Sequence, residues 1–183
     1  MKTIATIGFA VIVLTTCMFA MATPTRDALI VYGEHFSFTV SQPQGWTGDT
    51  THAERFGANI VFHRSSETAD NARALIRVRI DTKVDENTAA DLKDDMAGYR
   101  KQYPDVEFQK VSVSHPTYPV FSKIFVVSGS FYEYVVYLNP GSKVPYLFSV
   151  SMNKQTNRAT SDELAAFQQV VASIYFLTTE VKR

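Results

Sequence analysis

The chain has 183 residues, of which 45% are hydrophobic and 13% are aromatic. This length and composition predict one domain with a full hydrophobic core and exclude an intrinsically disordered chain. The 18 basic residues balance the 18 acidic residues. A dominant electrostatic attraction to nucleic acid or to an anionic membrane is therefore excluded.

The first 22 residues have the pattern of a secretory signal. An apolar run from Ile4 to Leu14 is followed by Ala20-Met21-Ala22, which supplies the small residues that signal peptidase requires for cleavage after Ala22. The sequence therefore predicts a signal peptide over 1–22 and a single globular domain over 23–183. Such a domain is exported to the periplasm or the extracellular space of a bacterium.

Two alternatives to cleavage after Ala22 are weaker. A retained membrane anchor needs roughly 20 apolar residues, more than the run contains. A lipid anchor at Cys17 requires a lipoprotein box, which Leu14-Thr15-Thr16-Cys17 resembles only loosely, because Thr16 stands where glycine, alanine or serine is usual. If signal peptidase cleaves after Ala22, Cys17 is removed with the signal peptide. The mature chain then has no cysteine and must be stable without disulfides.

A strand pair opens the predicted domain. Ala28–Tyr32 and Phe36–Val40 are apolar or alternating segments separated by a Gly33-Glu34-His35 turn, as in a hairpin. The second strand runs into Pro43-Gln44-Gly45-Trp46, where proline cannot donate to a ladder and glycine permits positive φ. We therefore expect the chain to leave the sheet here and to bury Trp46, the only tryptophan.

Two polar loops and two strands follow. Thr47 to Phe56 and Ser65 to Arg73 are predicted as loops, and they are the expected contact surface for a macromolecular partner. Strands are predicted over Ala58 to Arg64 and Leu75 to Val84. Apolar and charged residues alternate in the latter strand, which predicts that one of its faces lies in water.

A first helix is predicted after Asp85 to Thr88, which offers capping side chains. Thr88-Ala89-Ala90-Asp91 approximates a capping box, and Pro104 ends the helix. The apolar stripe of this helix consists of Leu92, Met96, Tyr99 and Tyr103.

The most apolar part of the chain predicts an antiparallel meander. The meander is preceded by a predicted strand over Val106 to Ser114, in which Val111 and Val113 alternate with polar residues. A stiff turn at His115 to Pro119 follows this strand. The three meander strands are Val120 to Val127, Phe131 to Leu138 and Tyr146 to Met152. Both faces of the middle strand are apolar, which predicts a central strand covered on both sides.

A second helix begins at the capping box Thr160-Ser161-Asp162-Glu163. Its predicted core-facing stripe consists of Leu164, Phe167, Val171 and Ile174.

The strand pair with Phe-Ser-Phe-Thr-Val and Pro-Gln-Gly-Trp, the first helix, the meander and the closing helix together resemble the PsbP-like superfamily over residues 28–177. The resemblance implies an α+β fold, an α/β/α sandwich whose central, mainly antiparallel sheet is flanked by helices. It also implies a binding or assembly protein rather than an enzyme. No functional residue of that superfamily can be placed on a numbered position of this chain.

No motif predicts catalytic, cofactor-binding or metal-ligating residues. The four histidines, His35, His52, His63 and His115, lack metal-site spacing and are interpreted as surface residues. No Gly-x-Ser-x-Gly elbow groups a serine with a base.

Two clusters of charged residues are explained by solvent-exposed positions on a helix and on strands. Asp91, Asp94 and Asp95 suit the dipole of a helix start and are expected on its solvated face. The basic residues His63, Arg64, Arg77 and Arg79 converge on an anion-binding patch only if their strands pair suitably, and otherwise keep a strand face soluble.

Two classes of function stay open at this level. The favoured prediction is an exported, non-enzymatic binding or assembly protein of the bacterial cell envelope with a protein partner and no cofactor, contacting a membrane only if Cys17 is lipidated. The alternative is a small-ligand-binding protein or hydrolase whose site is assembled from distant residues. A deep pocket with convergent polar groups favours the alternative, and a flat apolar patch favours the first.

Overall fold

A computed structural model describes residues 28–83 and 87–177 of the chain. In this part the fold is α+β and consists mostly of antiparallel sheet, with two α-helices, which confirms the predicted class. None of the helices in the described ranges has the length and apolar character needed to cross a bilayer. The predicted signal peptide and Cys17 lie outside the described residues.

The elements of the described chain have the following bounds. The strands are β1 (Ala28–Tyr32), β2 (Ser37–Ser41), β3 (Trp46–Asp49), β4 (Ile60–Arg64), β5 (Ala74–Thr82), β6 (Glu107–Gln109), β7 (Val120–Val127), β8 (Phe131–Leu138), β9 (Tyr146–Gln155) and β10 (Tyr175–Leu177). The helices are α1 (Thr88–Gln102), α2 (Ser161–Ala172) and a short 3-10 helix (Ala53–Phe56). A small sheet has the order β1-β2-β10, and a large sheet has the order β3-β4-β5-β9-β8-β7-β6.

The turn before Trp46 connects the two sheets. Gly45 adopts a positive φ of 75°, and the Trp46 N–H donates to the Pro43 carbonyl at 3.1 Å. The chain thus leaves β2 of the small sheet and enters β3 of the large one. Trp46 is only 2% exposed, which confirms its predicted burial.

The meander forms as predicted. β7, β8 and β9 pair antiparallel in chain order, and β9 extends to Gln155, three residues beyond the predicted end. The last six residues of β8 are all buried. This confirms a central strand covered on both sides.

The main core lies on one face of the large sheet. Phe167, Val170 and Val171 of α2 pack there together with Phe38 and Val40 of the small sheet. The helix begins with the predicted capping box, because the Glu163 N–H donates to Thr160 Oγ1 at 3.3 Å and the Thr160 N–H donates to Glu163 Oε2 at 2.8 Å. The small sheet and α2 therefore share one hydrophobic core with the large sheet.

The opposite face of the large sheet carries α1. Leu92 packs there against Phe125 and Val135 of the meander. The helix is capped by Asn87, whose side chain accepts a hydrogen bond from the Ala90 N–H. The predicted capping box starting at Thr88 is therefore wrong, because Thr88 is the first helical residue and is itself buried.

Three local predictions differ from the structure. Thr47 to Phe56 is not one loop, since its first three residues belong to β3 and its last four form the 3-10 helix. The predicted strand over 106–114 pairs only over β6. The end of this segment is bound to α2 instead: Gln168 Nε2 donates to the Ser114 carbonyl at 2.7 Å, and the Ser114 N–H donates to Gln168 Oε1 at 3.0 Å. The unpredicted β10 forms by pairing with β2.

His115 fixes the stiff turn to the start of β10. Its Nδ1 accepts from the backbone N–H groups of Thr117 (3.0 Å) and Tyr118 (2.8 Å), so its Nε2 carries the proton and donates to the Ile174 carbonyl at 2.9 Å. The ring also stacks on Tyr118 with centroids 4.4 Å apart. Burial lowers the pKa of His115, an effect that the hydrogen bond to Ile174 only partly offsets.

We expect this histidine to make folding pH-dependent. A lowered folded-state pKa favours the neutral ring, so its contribution to stability is present above the ordinary histidine pKa of about 6.5 and is lost as the pH falls through the lowered value. Denaturant unfolding of wild type and His115→Gln from pH 7.5 to 4.5 measures the effect. The variant should lose less stability over this interval, whereas His35→Gln, at an exposed site, should follow wild type. Parallel curves for wild type and His115→Gln would contradict the expectation.

Candidate polar ligand site

A polar cavity of about 200 Å³ lies on the face of the large sheet that carries α1. It is lined by α1, by the end of the 3-10 helix and by the strands β5, β8 and β9; we call it the polar cleft. The pairing register builds its floor, because Arg77 lies opposite Ser151 and Arg79 lies opposite Ser149. On the other side of β9, Tyr137 lies opposite Ser149. Polar side chains from three strands thus meet beside α1, whose Asp95 and Tyr99 also line the cavity.

Glu133 is the most deeply buried charge of the polar cleft, with a side chain 6% exposed. Arg77 Nη2 donates to Glu133 Oε1 at 2.5 Å, and the Tyr99 hydroxyl donates to Glu133 Oε2. The Asn153 amide, turned with its nitrogen toward the carboxylate, adds a donor at 2.9 Å. Arg77 Nε is bound in turn to Ser151 Oγ at 3.1 Å. Several charge-assisted hydrogen bonds therefore compensate the burial of this carboxylate.

Asp95 of α1 is the second carboxylate of the polar cleft, and its environment differs. The Tyr137 hydroxyl donates to Asp95 Oδ2 at 3.1 Å. Burial raises the pKa of Asp95 and Asp81 adds to the rise, while the Tyr137 hydrogen bond and the charge of Arg79 oppose it. Arg79 itself pairs with Asp81 at 2.9 Å. Within the described residues, Asp95 is thus a partly desolvated carboxylate that forms no ion pair.

The two tyrosines of the polar cleft act as hydrogen-bond donors. Burial raises the pKa of Tyr99, and the charge of Glu133 raises it further. Burial and the charge of Asp95 likewise raise the pKa of Tyr137. Both phenols therefore stay protonated at neutral pH, and each holds one carboxylate in place.

The Ser151 hydroxyl of the polar cleft is not paired with a base. Ser151 Oγ accepts from the guanidinium of Arg77, which cannot remove its proton. None of the four histidines, all of which are described, lines the cavity. The arrangement suits recognition of a polar ligand better than acyl transfer.

The four basic residues do not converge on an anion-binding patch. Arg64 lies on the other face of β4, where its guanidinium stands 5.1 Å from the centroid of the Trp46 ring. Arg77 and Arg79 share a face, but each is paired with a carboxylate. His63 bonds to the Arg64 carbonyl through Nδ1 at 2.9 Å. The patch does not form because Arg64 points to the opposite face from its neighbour His63, as successive strand residues do, and because Glu133 and Asp81 neutralise Arg77 and Arg79.

Several residues are more buried than the sequence suggested. His35 and His52 are exposed, as predicted, but His63 is only 7% exposed and His115 is half-buried. Asp95 does not lie on a solvated face. No group of histidine, cysteine or acidic side chains in 28–83 and 87–177 is arranged to hold a metal ion.

Sequence reasoning missed the central member of the site. The apolar pattern of β8 hides Glu133, although a single carboxylate in a strand of otherwise apolar or aromatic residues signals a buried charge. The alternation in β5 predicts a wet strand face for its partner Arg77. Alternation identified the face correctly, but only the tertiary structure brings the two charges together.

Arg55 of the 3-10 helix connects segment 47–56 with the polar segment 65–73. Arg55 Nη2 donates to both carboxylate oxygens of Asp70 at 2.9 Å. In the first loop, His52 donates through its backbone N–H to Asp49 at 3.0 Å, and its ring lies 2.7 Å from the same carboxylate. Burial acts to raise the pKa of Asp49, but these hydrogen bonds outweigh it and lower the pKa. An exposed ion pair therefore connects the two segments.

Comparisons of the chain with protein-family models and with curated protein sequences find no match. The similarity to the PsbP-like superfamily thus stays a prediction drawn from the sequence.

Proposed function

We propose that the protein is an exported binding protein of the bacterial cell envelope that takes a small molecule with an ammonium group into the polar cleft. The observation that carries the proposal is Asp95, a partly buried carboxylate facing a cavity without an ion-pair partner among the described residues. A carboxylate that has lost hydration gains from a cation that replaces water. The hydroxyls of Ser149 and Ser151 supply further hydrogen bonds for the rest of the ligand.

Binding without turnover fits this arrangement. Glu133 and Arg77 bind each other, and the tyrosines stay protonated, so these groups shape the cavity instead of transferring protons. The proposal includes the PsbP-like α/β/α sandwich as the scaffold. It is supported by the packing of α1 and α2 on opposite faces of the large sheet.

We expect Asp95→Asn to weaken binding of small amines roughly tenfold or more, because it removes a charge-assisted hydrogen bond. Calorimetric titration with ethanolamine, 1,4-diaminobutane and lysine methyl ester, each beside an uncharged alcohol of similar size, measures the affinities. Wild-type affinity should fall as the pH drops through the raised pKa of Asp95, because the protonated carboxyl no longer attracts a cation.

The matched control is Asp94→Asn, which changes net charge equally on the exposed side of the same helix. It should bind amines as wild type does. Equal weakening by both variants, or equal binding of amines and alcohols, would contradict a specific role for Asp95.

A second candidate function is contact with a macromolecule through the two polar loops. The Arg55–Asp70 pair favours it, because it connects the two loops. Recovery of a protein partner from native extract by wild type, but not by Arg55→Ala, would support this function. Replacement of whole loops is a poorer test, since Ala53 and Ala69 within them are buried in a small core with Val61.

Export underlies both functions. We propose that the mature N-terminus is Thr23, as the small residues before it favour cleavage after Ala22. Mass spectrometry of the exported protein tests this. A free Thr23 would support the proposal, and a lipid-modified Cys17 would refute it.

A further inference from the structure

A second cavity, of about 300 Å³, lies between α2 and segment 110–114; we call it the edge slot. It exists because the chain stops pairing with β7 after Gln109. The Gln168 amide then binds both backbone groups of Ser114 and holds the segment against α2. The edge slot is therefore built into the fold by backbone hydrogen bonds from a helix side chain.

The interior of the edge slot is apolar. Its floor consists of Ile124, Tyr134 and Phe167, which are 6%, 2% and 0% exposed. The Tyr134 hydroxyl accepts a hydrogen bond from the Ala159 N–H at 3.0 Å. The walls are partly exposed apolar side chains, namely Val111, Val113 and Leu164. An apolar ligand of matching size would remove this surface from water.

The rim of the edge slot is positively charged. Lys110 and Arg158 are the only charged side chains among the described residues that line the cavity. Arg158 donates to Gln109 Oε1 at 2.5 Å and stands 5.4 Å from the centroid of the Tyr132 ring, and it forms no ion pair within 28–83 and 87–177. Lys110 is exposed and makes no ion pair with any described residue. Two cations without acidic partners thus stand at the mouth of an apolar cavity.

We propose that the edge slot binds a medium-chain monocarboxylate. The hydrocarbon chain would lie on the floor, and the carboxylate would stay at the rim between Lys110 and Arg158. Charge complementarity selects this ligand, because the rim carries two positive charges and no negative one. At the rim the carboxylate also keeps part of its hydration, so it avoids the large penalty for a buried charge.

Isothermal titration of the purified exported protein with octanoate, 1-octanol and octylammonium tests the proposal. We expect saturable octanoate binding, roughly tenfold or more tighter than binding of the alcohol and tighter still than that of the cation. Octanol binding as tight as octanoate binding would overturn the proposal, as would the absence of saturable octanoate binding.

Substitutions in the edge slot test whether octanoate binds there. Lys110→Gln/Arg158→Gln should weaken octanoate binding roughly tenfold or more. The matched control Arg73→Gln/Lys101→Gln, also at exposed positions, should leave it unchanged. Leu164→Trp fills the edge slot from α2 and should abolish binding while the melting temperature stays near that of wild type. Equal affinities of the rim variant and its control would overturn the proposal, even if Leu164→Trp does not fold.

Discussion

Replacement of Trp46 by alanine is expected to lower the free energy of unfolding by roughly 3–5 kcal/mol, the range for large aromatic residues removed from a core. The ring is 2% exposed and belongs to the main core. It also begins β3, so its loss leaves a cavity where the chain passes from the small sheet to the large one. Equilibrium denaturation in urea, with the slope compared between variants, measures the change.

Two further variants separate the contributions to this loss. Trp46→Phe keeps a ring and should cost less than the alanine variant. Arg64→Met removes the cation above the ring but keeps an apolar stem, and it should cost less than about 1 kcal/mol. A denaturation midpoint unchanged by Trp46→Ala would contradict the buried position of the ring.

Replacement of Arg77 by methionine is expected to lower the free energy of unfolding by about 3 kcal/mol, the low end for a broken buried ion pair. The variant leaves Glu133, whose side chain is 6% exposed, without its cation. The Tyr99 hydroxyl still donates to that carboxylate, and the 28% exposure of Arg77 lets some water replace the guanidinium. These two effects keep the expected loss at the lower end. Urea denaturation at pH 7 measures it.

A double-mutant cycle tests whether the loss comes from the pair. Arg77→Met/Glu133→Leu replaces both charges by apolar groups and should recover most of the stability, because no charge is left buried alone. Glu133→Leu alone should cost less than Arg77→Met, as the arginine can turn toward water. Additive losses in the double variant would show that the two side chains do not depend on each other.

Local patterns predicted most of the elements. Alternating residues identified β2 and β5, since a strand with one buried face shows period two, and short apolar runs bounded by turn residues identified β1 and the meander. The capping box predicted the start of α2, because Thr160 and Glu163 satisfy each other within a single helical turn. At the start of α1 the capping box predicted from Thr88 failed, because Thr88 is the first helical residue and Asn87 caps the helix.

Predictions that depend on a distant partner failed more often. β10 has only three residues, too few to show a strand pattern, and it forms by pairing with β2. Segment 110–114 has an alternating pattern but leaves the sheet because Gln168, 54 residues away, binds its backbone. The short β3 likewise forms by pairing with β4.

The sequence by itself determined the central strand and the faces to which Arg77 and Arg79 point, because both follow from the spacing of residues within one element. The burial of Trp46 followed from the turn residues Pro43 and Gly45 that precede it. Only the tertiary structure decided which groups meet. The register of β5, β8 and β9 sets Arg77 beside Glu133, and the position of α1 sets Asp95 beside Tyr137. Side-chain chemistry at a site depends on distances between elements, and spacing along the chain does not encode those distances.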